Sequence, residues 1–453
     1  MSASNVEHEF EYDAHRVSVK EPSARFDKQG DMSDKERVEK AMAHFVKDFG
    51  SAAATYLESC IHCGMCADAC HYYISTGDPK YTPIWKLEPF KQAYKREYGP
   101  LSILYRTFGL KKKVTADELE EWQHLIYDSC TVCGRCSLIC PMGIDIASLI
   151  STARHGMNKA GLIPHELHAV AERARKDGSP LGVTPELFRE RIEWMADEHE
   201  VDINLDLDKA DVFAIMSSIE IQKYPAAMAA TAKILNATGE SWTFRSDAFE
   251  ATNFGLLSGN LEWQREASLK VINAAIKLGA KKLVLPECGH AYMALRWMGA
   301  EMYGKPLPFE VLHISEYLAD VLNSGKLKVK KVDKSVTFHD PCQVVRRGGA
   351  AQAPRDVLKH LGVDFREMEN GGAYNWCCGG GGGVITIRRA DELRHKVFKI
   401  KMEQVEATKA DALVSSCANC RQTFDDGQAH YKWDYKMDSL LELVADNLAE
   451  EAA

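Results

Sequence analysis

Two short stretches, CIHCGMCADAC (Cys60–Cys70) and CTVCGRCSLIC (Cys130–Cys140), space their cysteines identically, as C-x2-C-x2-C-x3-C. Loops this dense in thiols are built to wrap a metal–sulfur group, and the spacing is the ferredoxin run for [4Fe–4S] cubanes. Zinc sites more commonly pair two C-x2-C knuckles. In two-cluster ferredoxins the fourth cysteine of each run serves the other cluster. Cys60, Cys63, Cys66 and Cys140 are therefore expected on one metal centre, and Cys130, Cys133, Cys136 and Cys70 on the other. Gly64 and Gly134 fall mid-loop, where the backbone must come close. Pro141 follows the second run as the motif prefers, but His71 follows the first. His62 and His71 are available to tune the nearer cluster, or are ordinary exposed loop residues.

The remaining cysteines continue the theme. The chain of 453 residues carries fourteen, the other six being Cys288, Cys342, Cys377, Cys378, Cys417 and Cys420. A disulfide scaffold would be short and secreted, and adjacent cysteines bridge only with strain. The net charge of −9 argues against nucleic acid as a partner. No apolar run is long enough to span a membrane, and MSASNVEHEFEYDAHR lacks the apolar segment of a secretory signal. The expectation is a cytoplasmic protein with no transmembrane segment of its own.

Helical spacing surrounds the two runs. Ser33 and Glu36 form a capping-box pattern, followed by Val38, Ala41, Met42, Phe45 and Phe49; beyond the second run Ile146, Leu149, Ile150, Ala153 and Met157 recur likewise. Between the runs, GPLSILYRTFGLKKK is apolar and then basic. It reads first as a core-packed helix with a solvated tail, and second as a surface for a membrane or a membrane partner.

From about residue 209 the rhythm becomes strand, helix, strand. SVTFHDPC is expected to be a strand ending at Cys342. A helix over 355–361, a strand VDFREME, the loop NWCCGGGGG, a helix over 390–406 and a strand ALVSSCANC follow. Cysteines placed after strand ends fit the rule for open α/β sheets. An earlier copy lies about 125 residues upstream: ADVFAIMSS, NFGL and VLPECGHA parallel SVTFHDPC, NWCC and LVSSCANC. Ser217, Cys288 and Ala291 then stand in the places of Cys342, Cys417 and Cys420. The first copy keeps its frame and has lost nearly all its thiols. The second keeps five: Cys342, Cys377, Cys378, Cys417 and Cys420. Five thiols suit an opened cluster with a bridging thiolate, or one cubane with a spare. Gly379, Gly380, Gly381 and the two glycines after them let the backbone pass close to a cofactor.

The pattern HDPC, NWCCGGGGG and CANC resembles the CCG domain of heterodisulfide reductases. With a ferredoxin module ahead of it, the chain resembles the D-type subunit of those enzymes. ECGHAY (Glu287–Tyr292) is most similar to the DsrK subunit of sulfite-reduction complexes and to the Tmc complex iron–sulfur subunit. The resemblance spans about residues 50–445. It implies an α+β multidomain fold, with a helical two-cluster ferredoxin-like module followed by a pseudo-duplicated α/β CCG domain. The expected divisions are an arm and helix (1–50), a two-cluster domain (51–165), a helical linker (166–208), a degenerate first half (209–331), an intact CCG half (332–446) and a tail (447–453). It implies two cubane [4Fe–4S] clusters and one non-cubane [4Fe–4S] cluster on the five CCG cysteines. It also implies a haem b membrane subunit that exchanges electrons with quinone, and peripheral membrane association through it. The implied substrate is a small sulfur-carrier protein or a low-molecular-weight disulfide or trisulfide. Cys342, Cys377 and Cys378 would then sit at the chemistry. His339 is a candidate general acid. Cys288 is a candidate for a transient mixed disulfide, provided it is a thiolate. Arg346 and Arg347 are available to steer an acidic partner. The rival reading is an electron-relay iron–sulfur subunit of a flavin dehydrogenase of the glycolate or lactate oxidase type. Residues 1–30 read as a polar, mobile arm.

Overall fold

The structure, a computed structural model, describes residues 27–47, 50–110 and 113–449. Nearly all of the polar arm, together with Phe49, Lys111 and Lys112, lies outside the described residues. The chain divides into two compact units. Of the described residues, the first takes those up to Ala169 plus two later segments, Gly255–Leu261 and Trp376–Ile400; the second takes the others.

The first unit is helical. Its helix Asp34–Lys47 opens with the expected capping box, the Ser33 amide donating to Glu36 Oε2 at 3.1 Å and the Glu36 amide to Ser33 Oγ at 3.3 Å. Ala41 and Phe45 on its apolar face are buried. Phe45 meets the ring edges of Phe90 and Trp122, each at 5.4 Å. Helix Ile146–Lys159 starts on Asp145, whose carboxylate accepts from the Ser148 amide, and buries Ile146, Leu149, Ile150, Ala153 and Met157. Gly156 lets this helix press on Phe45, since a Cβ there would stand 2.3 Å from Cε1 of that ring. Arg389, from the late segment, is buried against Asp27 (3.1 Å), Asp128 (2.7 Å) and Gln123 (2.7 Å). A buried guanidinium needs such pairing.

The inserted stretch between the cysteine runs departs from its first expectation. Helix Ser102–Thr107 buries none of its residues. Ile103 is 71% exposed, Phe108 67% and Leu110 67%, with Leu101 and Leu104 exposed beside them. The core-packed reading is therefore corrected: this is an apolar surface.

The second unit holds two parallel four-stranded sheets. One is ordered β2 (Trp242–Thr243), β1 (Val212–Ala214), β3 (Lys282–Leu285), β4 (Glu310–His313); the other β6 (Asp364–Phe365), β5 (Ser335–His339), β7 (Ala412–Ser415), β8 (Met437–Ser439). The strand order is the same in both, and β1 and β5 lie next to β3 and β7 respectively. The pairs matched as repeats in the sequence thus hold equivalent places. One apolar cluster contains Val212, Trp242 and Leu312 of the first sheet with Val336, Phe338 and Val414 of the second. The segment read as VDFREME pairs only over Asp364–Phe365, at the sheet edge.

Candidate metal centres

Both cysteine runs adopt the same backbone. His62 and Val132 have φ of 56° and 53°, and Gly64 and Gly134 follow at 82° and 77°. A β-branched residue such as Val132 rarely tolerates positive φ, and strain of this kind collects at functional sites. None of the fourteen cysteines is in a disulfide.

Each run lines a cavity, and the fourth cysteines are exchanged. Cys60, Cys63, Cys66 and Cys140 line one cavity of about 50 Å3, with Ile84, Leu87 and Lys91 in its wall. Cys70, Cys130, Cys133 and Cys136 line another of about 30 Å3, with Tyr72, Lys86 and Ser129. Four convergent sulfurs with no competing carboxylate in either wall fit an iron–sulfur cluster, whose ligands are thiolates. Burial pushes the Cys66 thiol up to about 11, and burial followed by the neighbouring thiols pushes Cys136 up. Thiols crowded this way need a metal to hold them deprotonated. Of the two readings of His71, the exposed loop residue is corrected: it opens the helix His71–Thr76 and is buried beside Tyr72. His62 is exposed, 2.8 Å from the Lys91 ammonium.

Two of the five CCG cysteines, Cys377 and Cys378, belong to the first unit. Cys377 Sγ lies 3.4 Å from Thr131 Oγ1. Gly382, at φ +63°, passes so close to the second run that a Cβ would stand 2.9 Å from the Thr131 carbonyl carbon. Arg154 is fully buried and ties this region together. It donates to the carbonyls of Ile126, Cys130 (2.8 Å), Leu257 (2.9 Å) and Gly382 (2.7 Å). Arg135 stacks its guanidinium 3.5 Å from the Trp376 ring centre. At least part of the glycine run is thus explained by backbone-to-backbone packing on the second cysteine loop.

The other three belong to the second unit and follow strand ends. Cys342 lies three residues after β5, and Cys417 caps the helix Ala418–Tyr431, which carries Cys420 in its first turn. The Cys417 thiol is lowered by its bond to Cys420, against burial, with the Gly289 amide also donating. His339, at the end of β5, is buried with its ring edge-on to Phe424 at 5.2 Å. Burial, Lys401 and Arg346 keep it neutral, well below the usual histidine range, against Asp340. Asp340 takes both guanidinium nitrogens of Arg355 at 2.9 and 3.0 Å and the Gly372 amide at 2.7 Å. Arg346 is half-buried and donates to the Ala373 carbonyl at 2.6 Å and Asn375 Oδ1 at 2.5 Å. It anchors the chain just before the paired cysteines.

In the degenerate half, Ser217 occupies the Cys342 position and caps the next helix through Glu220. Glu220 lies buried and Glu250 half-buried near the strand ends, desolvation raising Glu250 to about 7. Carboxylates and hydroxyls fill the site that the thiols left. Cys288 is buried, 3.9 Å from Thr252 Oγ1. Burial and then Cys417 push its thiol up to about 12, so at neutral pH it is protonated. Sequence reading did not single out Lys86, Tyr72, Arg154 or the buried Glu287 as functional candidates. Of these only Glu287 sat in a noticed motif.

Comparison with known proteins agrees with this build. Residues 59–145 match the family described as a 4Fe-4S dicluster domain, and residues 336–425 the cysteine-rich CCG domain. The chain is 30% identical over 400 residues to the D-type subunit of the dihydromethanophenazine:CoB–CoM heterodisulfide reductase of Methanosarcina barkeri, covering 86% of this chain and 94% of that one. It belongs to the family of D-type heterodisulfide reductase subunits. It is also 26% identical to the Hdr-like menaquinol oxidoreductase iron-sulfur subunit 2 of Archaeoglobus fulgidus, over 88% of this chain and 80% of that one. The EtfAB:quinone oxidoreductase of Syntrophomonas wolfei is 26% identical over 84% of this chain and 56% of its own length. The chain is thus an iron–sulfur oxidoreductase with a ferredoxin-like module ahead of a CCG domain. Among the described residues no helix is long and apolar enough to cross a membrane.

Proposed function

We propose that this protein passes electrons between a quinone-reactive haem b membrane subunit and a disulfide or trisulfide, small or carried on a protein. The two ferredoxin cavities would each hold a cubane, and Cys342, Cys377, Cys378, Cys417 and Cys420 would together hold a non-cubane [4Fe–4S] cluster. The observation that carries this reading is the complete five-cysteine CCG set in a chain alike in length and order to the D-type heterodisulfide reductase subunits. When bound, the CCG cluster supplies a site where two electrons meet an S–S bond.

The chain's own residues have separable parts. Reducing one S–S bond takes two electrons and two protons and yields two thiols. His339 is assigned to proton delivery. It rests neutral and would be protonated only as negative charge develops beside it. Gly379, Gly380 and Gly381 would let the backbone pass close to the cluster. Cys288, a protonated thiol, would turn nucleophilic only after losing that proton. The exposed face at Leu101, Ile103, Leu104, Phe108 and Leu110, continued in the sequence by three lysines, is assigned to the membrane partner. The protein would then be cytoplasmic and peripherally attached.

The test is protein purified without oxygen, with iron and labile sulfide counted and the oxidised EPR spectrum recorded before and after adding thiols. About twelve irons, as three four-iron clusters, with a thiol-sensitive signal support the proposal. About eight irons in fully loaded protein refute it at the CCG site. Twelve without thiol response favour the relay to a flavin partner, a reading to which the EtfAB:quinone oxidoreductase likeness lends weight.

A further inference from the structure

The second ferredoxin cavity contains a cation and a hydroxyl that the protein's own pairing does not account for. Lys86 ends the short helix Pro83–Lys86 and is 2% exposed. Its ammonium donates to the Ser129 carbonyl, stands 3.8 Å from Cys70 Sγ and lies 4.7 Å from the Tyr72 ring centre. Among the described residues no carboxylate pairs with it. A buried charge without a counter-charge is costly. Tyr72 is 1% exposed, and its hydroxyl has no hydrogen-bond partner among the described residues. Tyr72 lines the same cavity as Cys70, Cys130, Cys133 and Cys136, so its phenol stands beside the sulfurs of the second run.

We propose that Lys86 and Tyr72 set the reduction potential of the second cluster, Lys86 as its fixed counter-charge and Tyr72 as a hydrogen-bond donor to its sulfur. This rests on reading that cavity as a cubane site. A cubane held by four thiolates is anionic, and reduction adds one more negative charge, which a nearby cation and donor favour. Both groups raise the potential and hold electrons at the cluster nearer Cys377. They are positioning residues, since neither ligates iron.

The test is potentiometric titration of the full chain, followed by EPR of the reduced cubanes, in Lys86→Gln, Lys86→Arg and Tyr72→Phe. Lys86→Gln should lower one cubane midpoint by a factor of about ten in the reduction equilibrium, which is 59 mV for one electron, and leave the other in place. Lys86→Arg should keep the midpoint within about threefold of wild type, and Tyr72→Phe should lower the same midpoint by a smaller step. Unchanged midpoints in iron-replete Lys86→Gln overturn the proposal, and an unchanged Tyr72→Phe midpoint overturns the tyrosine's part. Loss of four irons in both Lys86 variants also overturns it, because the lysine is then only a tie to Ser129. Loss in Lys86→Gln alone supports it. Wild-type protein lacking the eight cubane irons refutes the cavity assignment instead, and the two failures are distinct.

Discussion

Gly382→Ala isolates the close approach between the CCG loop and the second cysteine run. Two costs add at this position. An L-residue at positive φ loses about 1–2 kcal/mol. The new Cβ, 2.9 Å from the Thr131 carbonyl carbon and oxygen, cannot be relieved by turning a side chain, because both atoms are backbone. Overpacking of this kind costs about 1–3 kcal/mol. Gly77→Ala is the matched control: it also has positive φ, 69°, but nothing lies within 4 Å of its Cβ. Thermal unfolding of both variants, loaded with metal, reads the difference at roughly 2–4 °C per kcal/mol for a unit of this size. The Gly382 variant should unfold lower than the control, and its second-cubane EPR signal should broaden as Thr131 shifts against Cys377. Equal midpoints with unaltered spectra would refute the idea that the glycine run is there for backbone packing.

Other outcomes follow from the same contacts. Cys70→Ser should cost the cluster held by the second run, while Cys140→Ser should cost the other; iron counts with EPR would expose an unexchanged pairing if each serine emptied its own run's site. Arg389→Met leaves Asp27 and Asp128 buried without their cation, so a loss of about 3–5 kcal/mol is expected in denaturant titration. Glu287 is raised to about 8 by burial, against Arg421. Folding therefore favours its protonated form, and that contribution is full below the unfolded glutamate value near 4.3 and fades as pH rises through about 8. Glu287→Gln should flatten the decline of stability over that window, and an unchanged slope would place the titration elsewhere. Ile103→Asp with Phe108→Asp should release the protein from membranes bearing its partner while iron content stays whole, as sedimentation would reveal.

Local spacing made the candidate ligands stand out. Four cysteines within eleven residues leave few geometries, and each cavity is lined by three cysteines of one run and the fourth of the other. The repeat was legible because strand ends recur at matched places, Ser217 against Cys342 and Cys288 against Cys417. The supports were not legible, for they join residues far apart in sequence: Arg154 reaches Gly382 across 228 positions. Lys86 carried no signal either, since a lysine in an unremarkable stretch looks like any solvated one. Hydrophobicity misled at Ile103 and Phe108, because an apolar helix reads alike whether its own fold or another protein covers it. Arg346 was expected to steer an acidic partner, and its hold on the loop through Ala373 and Asn375 left no mark in the sequence.

The first unit is completed by Gly255–Leu261 and Trp376–Ile400, each taken from just beyond the equivalent asparagines Asn253 and Asn375. A ribosome making this chain releases the ferredoxin loops early, but the last piece that finishes their surroundings, Trp376–Ile400, is complete only at residue 400. Cluster loading at the second run is then a late, whole-chain event. The gene, too, cannot trade its ferredoxin portion for another as a detachable cassette, because the two portions are stitched through each other and must be inherited together.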